Sequence, residues 1–152
     1  MATKRRKNIR LPRGVYEHPN QIFSVTICTT KRRRLFADPI VAREVVNSLK
    51  SGPVAQKSEM YAYCLMPDHL HALISQREGN LIEIVGGWKK YTGNLLRKDG
   101  LKGPFWQRSF YDHALRKEED LIKTAQYMVM NPVRARLVAK WRQYPFSWHR
   151  WM

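Results

Sequence analysis

Cysteine is nearly missing from this chain: only Cys28 and Cys64 occur, each inside an apolar run and without CxxC spacing. That excludes a disulfide framework and a zinc knuckle, and fits free thiols in a reducing compartment. No apolar stretch reaches the length a membrane-spanning helix requires, and none follows the basic N-terminus as a secretory signal would demand. A glycine-rich phosphate loop of the GxxxxGK form is also lacking, as are internal repeats. Acidic residues are scarce: 12 Asp plus Glu stand against 28 Lys plus Arg, a formal net charge of +16. Such a balance asks for a polyanionic partner. Anionic lipid would satisfy the charge, but no basic amphipathic helix with an aromatic apolar face is present. Nucleic acid is the better match, with neither a membrane nor a small-molecule substrate implied.

What is present suffices for one core, since 152 residues with 43% hydrophobic content make a single compact domain the expectation. Residues 1–20 form a basic arm rich in charge, with Pro12, Gly14 and Pro19, so order is expected over residues 21–152. Residues 21–29 alternate Phe23, Val25 and Ile27 against Ser24, Thr26 and Cys28, the pattern of a strand. Val41, Val45, Val46 and Leu49 follow helical spacing up to Ser51-Gly52-Pro53. Two further strands, 58–66 and 69–75, flank the Pro67-Asp68 turn and are predicted to pair as a hairpin. A second helix carries Leu81, Ile84, Val85, Trp88, Tyr91 and Leu95, a short strand spans 110–115, and a third helix spans 118–130. The fold class is therefore α+β: a ferredoxin-like antiparallel sheet of order β-α-β-β-α-β with an added C-terminal helix.

Successive strand residues face opposite ways, so His69 and His71 project to one side while Leu70, Ala72 and Ile74 project to the other. Two imidazoles so placed can bind one metal ion side by side, although the pattern alone also suits two half-exposed sheet histidines. On the third helix, Leu121, Ile122, Ala125, Met128 and Val129 form one stripe, and Asp120, Lys123, Thr124, Tyr127 and Asn131 lie roughly opposite. Tyr127 thus points away from its helix's core stripe, and Asn131 follows one turn later as a possible further ligand. A packing or interface role is the plainer reading of a lone helix tyrosine. Should the two faces meet, a phenol nucleophile and a metal-polarised phosphate would permit covalent phosphoryl transfer. Tyr91 shares the apolar stripe of Trp88 and Leu95 and reads as packing.

The stretch from Met66 through His69, His71 and Ile74 resembles the histidine-hydrophobe-histidine segment of HUH endonucleases. With residues 105–110 (FWQRSF), 111–116 (YDHALR), 127–135 (YMVMNPVRA) and 144–147 (YPFS), the chain resembles the REP-associated tyrosine transposases, single-tyrosine HUH enzymes, in order and spacing from about Phe23 to Trp148. The resemblance implies Tyr127 as nucleophile on a catalytic C-terminal helix, His69 and His71 as metal ligands, and Asn131 at the place of a third. It implies magnesium or manganese, whereas two imidazoles by themselves suit zinc or another later transition metal. It further implies a single-stranded or hairpin DNA substrate bearing repetitive extragenic palindromes, a 5′-phosphotyrosine intermediate in DNA transposition and recombination, and work in the cytoplasm with the nucleoid. Either a monomer or a homodimer is compatible. Asp68 stands where many relatives carry Asn, and Arg136 where many carry Gly; neither change removes a catalytic group.

For DNA contact the sequence offers Lys4, Arg5, Arg6, Lys7 and Arg10 in the arm, the loop residues Lys31, Arg32, Arg33 and Arg34, and Trp106 with Arg108. Trp106 suits either base stacking or core packing. The tail 141–151 mixes aromatic and basic residues and suits either a DNA surface or the cover of a sheet edge. His113 matches a family position without an assignable role. The main rival reading is a non-cleaving DNA- or RNA-binding protein on the same fold. An RNA-recognition module is disfavoured because the expected aromatic pair in a Lys/Arg-Gly-Phe/Tyr setting is missing.

Overall fold

The computed structural model describes residues 21–115 and 118–152. The arm residues Lys4, Arg5, Arg6, Lys7 and Arg10 lie outside them. The first strand, β1 (Ile22–Cys28), buries Phe23, Val25 and Ile27, the odd-numbered set of its alternation. Helix α1 (Pro39–Ser51) starts where Asp38 accepts a hydrogen bond from the Ile40 amide and Pro39 occupies the first turn, whose missing N–H has no partner to lose there. A short helix that the sequence did not announce, α2 (Pro53–Lys57), follows directly. The hairpin of β2 (Ser58–Met66) and β3 (His69–Gln76) then turns at Pro67-Asp68 as expected. Helix α3 (Leu81–Lys98) is capped by Asn80, whose side chain accepts from the Glu83 amide. Beyond it come β4 (Tyr111–Leu115), α4 (Glu118–Val129), the single turn α5 (Asn131–Arg134) and β5 (Ser147–His149).

The five strands form one sheet in the order β4-β1-β3-β2-β5, every pair antiparallel. The first four are the predicted ferredoxin-like arrangement. The fifth comes from the aromatic tail, which thereby covers the β2 edge, the second of the two roles its composition allowed. Tyr144 anchors this return by donating its hydroxyl to the Leu65 carbonyl, and the Leu65 amide donates to the Phe146 carbonyl at 2.8 Å.

Each face of the sheet carries its own core. On one, Phe23, Val25, Ile27, Leu70, Ala72 and Ile74 pack with α1 and α3. Trp88 on α3 is buried there and donates its indole N–H to Ser48 Oγ on α1 at 2.9 Å, joining the two helices. On the other face, Ala62, Cys64, Met66 and Leu73 meet Leu121, Ala125 and Met128 of α4. Alternation puts His69 and His71 on this second face, in line with Leu73, with His71 opposite Cys64 and His69 opposite Met66 in the strand register. Both cysteines are buried and neither forms a disulfide, and burial pushes the Cys64 pKa up to about 12. No helix among the described residues is long and apolar enough to cross a membrane.

Candidate active site

The histidine pair sits where β3 leaves the hairpin turn. Its two Nε2 atoms face each other at 3.0 Å, and the rings stand nearly perpendicular at 89°. Each Nδ1 has its own partner: His69 Nδ1 lies 2.6 Å from Asp68 Oδ1, and His71 Nδ1 lies 3.0 Å from Thr26 Oγ1 on β1. With both Nδ1–H groups donating outward, the two Nε2 lone pairs point into the same space. Lone pairs that close repel unless a proton or a cation lies between them. Two nitrogens each about 2.0–2.1 Å from one ion lie about 3 Å apart when they subtend roughly a right angle. The pair therefore fits a shared divalent metal, and the carboxylate behind His69 is the kind of outer partner that fixes tautomer and ring orientation.

Electrostatics keeps these imidazoles neutral, the ligand form. Burial lowers the His71 pKa to about 4, helped by the charges of His69, Arg134 and Arg32 and opposed by Asp68. Burial also lowers that of His69, against the raising effect of Asp68. The Asp68 carboxyl is raised by burial, but hydrogen bonds from His69 and Arg32 outweigh this and hold it below its ordinary value.

Arg32, expected as a nonspecific phosphate contact, belongs to this cluster. Its Nε donates to Asp68 Oδ2 at 2.9 Å and its NH2 group lies 3.4 Å from His69 Nδ1. Lys31 and Arg32 take left-handed φ values of 54° and 55°, which cost a non-glycine residue roughly 1–2 kcal/mol each. The turn so formed carries the Arg32 side chain to Asp68. Arg33 instead donates to the Lys102 and Pro104 carbonyls, whereas Lys31, Arg34 and Arg108 are exposed. Trp106, half-buried, packs against Phe36 and Trp88 and donates to Thr92 Oγ1 at 2.9 Å, so the core fixes its ring.

Tyr127 stands on α4 with 67% of its surface exposed, away from the Leu121, Ala125 and Met128 stripe, as the helical pattern required. Asn131 opens α5 one turn later. The two are joined by a third residue of the 127–135 stretch. Arg134 sets its guanidinium carbon 3.8 Å from the Tyr127 ring centroid and donates to the Tyr127 carbonyl at 2.9 Å and to Asn131 Oδ1 at 2.7 Å. The signal that would have found it is the spacing of Tyr127, Asn131 and Arg134, which four- and three-residue steps bring to one side. Among the described residues, no group of three or more His, Cys, Asp or Glu side chains forms a metal cage. A cleft of about 450 Å³ runs between α4 and the β1–β4 edge, lined by Ser24, His113, Asp120, Lys123 and Thr124. This is where His113 lies. Tyr91 is half-buried on α3, in the other layer of the molecule.

A ferredoxin-like sheet with a histidine pair on one face and a tyrosine-bearing helix packed on that same face defines a class that known proteins also occupy. Residues 17–131 match the family model described as "Transposase IS200 like". The chain belongs to that family. It is 30% identical over 93 residues to the REP-associated tyrosine transposase of Escherichia coli (strain K12), a match covering 60% of this chain and 55% of that protein. A Haemophilus influenzae protein provisionally given the same name is 30% identical over 105 residues, covering 60% of each chain. The matched region is thus a little over half the length of these curated relatives. Among solved structures, a REP-associated tyrosine transposase bound to a REP hairpin superposes with a TM-score of 0.66 at 22% identity, over 97% of this chain and 82% of that one. This last likeness speaks for the fold.

Proposed function

We propose that this chain is a metal-dependent endonuclease and strand transferase for single-stranded DNA, acting in transposition through a 5′-phosphotyrosine intermediate. The observation that carries the reading is the convergence of the His69 and His71 Nε2 atoms, 3.0 Å apart, on the same sheet face that is covered by α4, the helix that bears the exposed Tyr127. His69 and His71 would hold the ion, with Asn131 as a candidate third donor. A divalent metal when bound supplies Lewis-acid polarisation of the scissile phosphate. Magnesium or manganese is our assignment.

In the step itself the Tyr127 Oη attacks phosphorus and loses its proton to solvent. A bond forms between Oη and the 5′ phosphate, the P–O3′ bond breaks, and the leaving 3′ oxygen takes up a proton. The phosphotyrosine ester keeps the energy of the broken diester, so a second 3′ hydroxyl can displace Tyr127 and rejoin DNA without a nucleotide cofactor. Asp68 and Thr26 orient the imidazoles, and Arg32 holds Asp68 in place. As substrate we propose hairpins of repetitive extragenic palindromes, on the strength of the family and of the neighbour's bound hairpin. The place of action is then the cytoplasm, beside the nucleoid.

Incubating labelled hairpins that carry a single-stranded flank with manganese, followed by denaturing electrophoresis, tests the reading. A protein-linked band is expected from the natural chain and none from Tyr127→Phe, which should bind the hairpin within about twofold of the natural affinity because it loses one oxygen and little packing. Binding without any adduct would favour the rival non-cleaving protein. Adduct formation by Tyr127→Phe would move the nucleophile elsewhere.

A further inference from the structure

Arg134 makes three contacts with one side chain, and all three engage groups that the proposed reaction would need. Its guanidinium covers the Tyr127 ring at 3.8 Å, bonds the Tyr127 carbonyl at 2.9 Å and bonds Asn131 Oδ1 at 2.7 Å. We infer that Arg134 is a positioning residue that holds Tyr127 and Asn131 in reserve until a DNA phosphate draws its guanidinium away. Strand arrival and completion of the metal's ligand set are then one event. The inference rests on the proposed strand-transfer reading and adds a regulation to that site.

The physical argument has three parts. First, an amide oxygen that accepts a hydrogen bond from a guanidinium cannot donate well to a dication, because two positive centres would share one oxygen. Arg134 must leave Asn131 before a metal can use it. Second, the partners that hold Arg134 are weak competitors. A carbonyl, a neutral amide and the face of an exposed ring are all inferior to a phosphate diester, whose charge-assisted and often bidentate bonds to arginine are roughly twice as strong as neutral ones. Both hydrogen bonds use a single guanidinium nitrogen, so donors remain for an incoming anion. Third, the side chain lies within electrostatic range of the histidines. α5 packs on β2, next to β3, and the positive charge of Arg134 is among those that His71 and Cys64 feel. A fixed cation there disfavours a metal ion until a phosphate offsets it.

The test measures metal binding rather than turnover. In a Tyr127→Phe background, which keeps the ring and stops cleavage, Mn²⁺ affinity is determined by calorimetry with and without a hairpin carrying a single-stranded flank. The hairpin should tighten Mn²⁺ binding about tenfold, and Mn²⁺ should tighten hairpin binding by the same factor, as reciprocity demands. Arg134→Ala should bind Mn²⁺ several-fold more tightly without DNA, and the coupling should fall close to unity. Adding Asn131→Ala to Arg134→Ala should remove most of that gain. Arg134 is exposed, so the variant should fold as the natural chain does, which its unchanged melting curve would verify. Unchanged or weakened DNA-free Mn²⁺ affinity in Arg134→Ala overturns the inference, as does an equal gain in the Asn131→Ala background. Adduct formation by the natural chain is followed on the same hairpin. An adduct without coupling overturns the role of Arg134 alone, and coupling without an adduct overturns strand transfer alone.

Discussion

The histidine pair shows how much of this site depends on single atoms. His69 is aimed by a 2.6 Å contact to Asp68, itself held by Arg32 at 2.9 Å. Removing such an outer partner typically lowers metal affinity by 10–100-fold. Asp68→Ala should therefore weaken Mn²⁺ binding by about 10–100-fold while leaving far-ultraviolet circular dichroism unchanged, and Asp68→Asn, which keeps one acceptor, should fall between. Arg32→Ala should act in the same direction with a smaller effect. A loss confined to DNA affinity in that variant would return Arg32 to the surface role its sequence neighbourhood suggests.

Acid should act through His71. Its pKa is about 4 in the fold against 6.5 in the open chain, so between these values the unfolded state binds more protons. The stability contributed by neutral His71 is complete above pH 6.5, declines as pH falls, and is lost once pH drops through about 4. Urea titrations of the metal-free protein should show midpoints that fall over this window, and the decline should be shallower in His71→Gln. A midpoint independent of pH across the window would mean that His71 is open to water.

At the scale of elements, the placement of Tyr127 depends on how α4 sits on the sheet. Ala125 is fully buried between Leu121 and Met128 against Ala62, Cys64 and Leu73. A larger residue there has no room, and overpacking of this kind costs about 1–3 kcal/mol. Ala125→Leu should lower stability by about that amount. It should also reduce adduct formation more than hairpin binding, since it shifts the nucleophile's helix without touching DNA contacts. Met128→Ala would leave a cavity instead and cost about 2–5 kcal/mol. The tail offers a second element to test. Removing residues 147–152 would strip β5 from the β2 edge and expose unpaired backbone groups there. The truncated chain should self-associate in light scattering at concentrations where the full chain does not, and Tyr144→Phe should destabilise by about 1 kcal/mol through loss of its bond to the Leu65 carbonyl.

For the whole molecule, a net charge of +16 predicts strongly salt-dependent DNA binding, whatever the sequence bound. Lys31 and Arg34 are exposed, so Lys31→Ala with Arg34→Ala should reduce the slope of log affinity against log salt by about 2, equally for palindromic and unrelated hairpins. Changing Arg32 and Arg33 as well would confound the result. Arg32 braces Asp68, and Arg33 ties the loop to the carbonyls of Lys102 and Pro104.

The amino-acid sequence by itself determined the first four strands, the long helices and the face on which each histidine lies. Period-two and period-3.6 patterns are local consequences of backbone geometry, so Phe23 against Ser24 and His69 against Leu70 could be sorted without any partner in view. The stripe of α4 likewise puts Tyr127 outside its core with no reference to the sheet. Other features belong to the tertiary structure alone. Whether the tail 141–151 meets DNA or a sheet edge depends on β2 having a free edge at the right distance. Whether Trp106 stacks on bases or packs on Trp88 depends on where β1 delivers the loop that follows it. The bond from Arg32 to Asp68 spans 36 residues, and the reach of Arg134 to the neighbourhood of His71 spans more. Long side chains carry their charge several ångströms from the backbone, so their partners are set by which surfaces the fold brings together, a relation no local periodicity records.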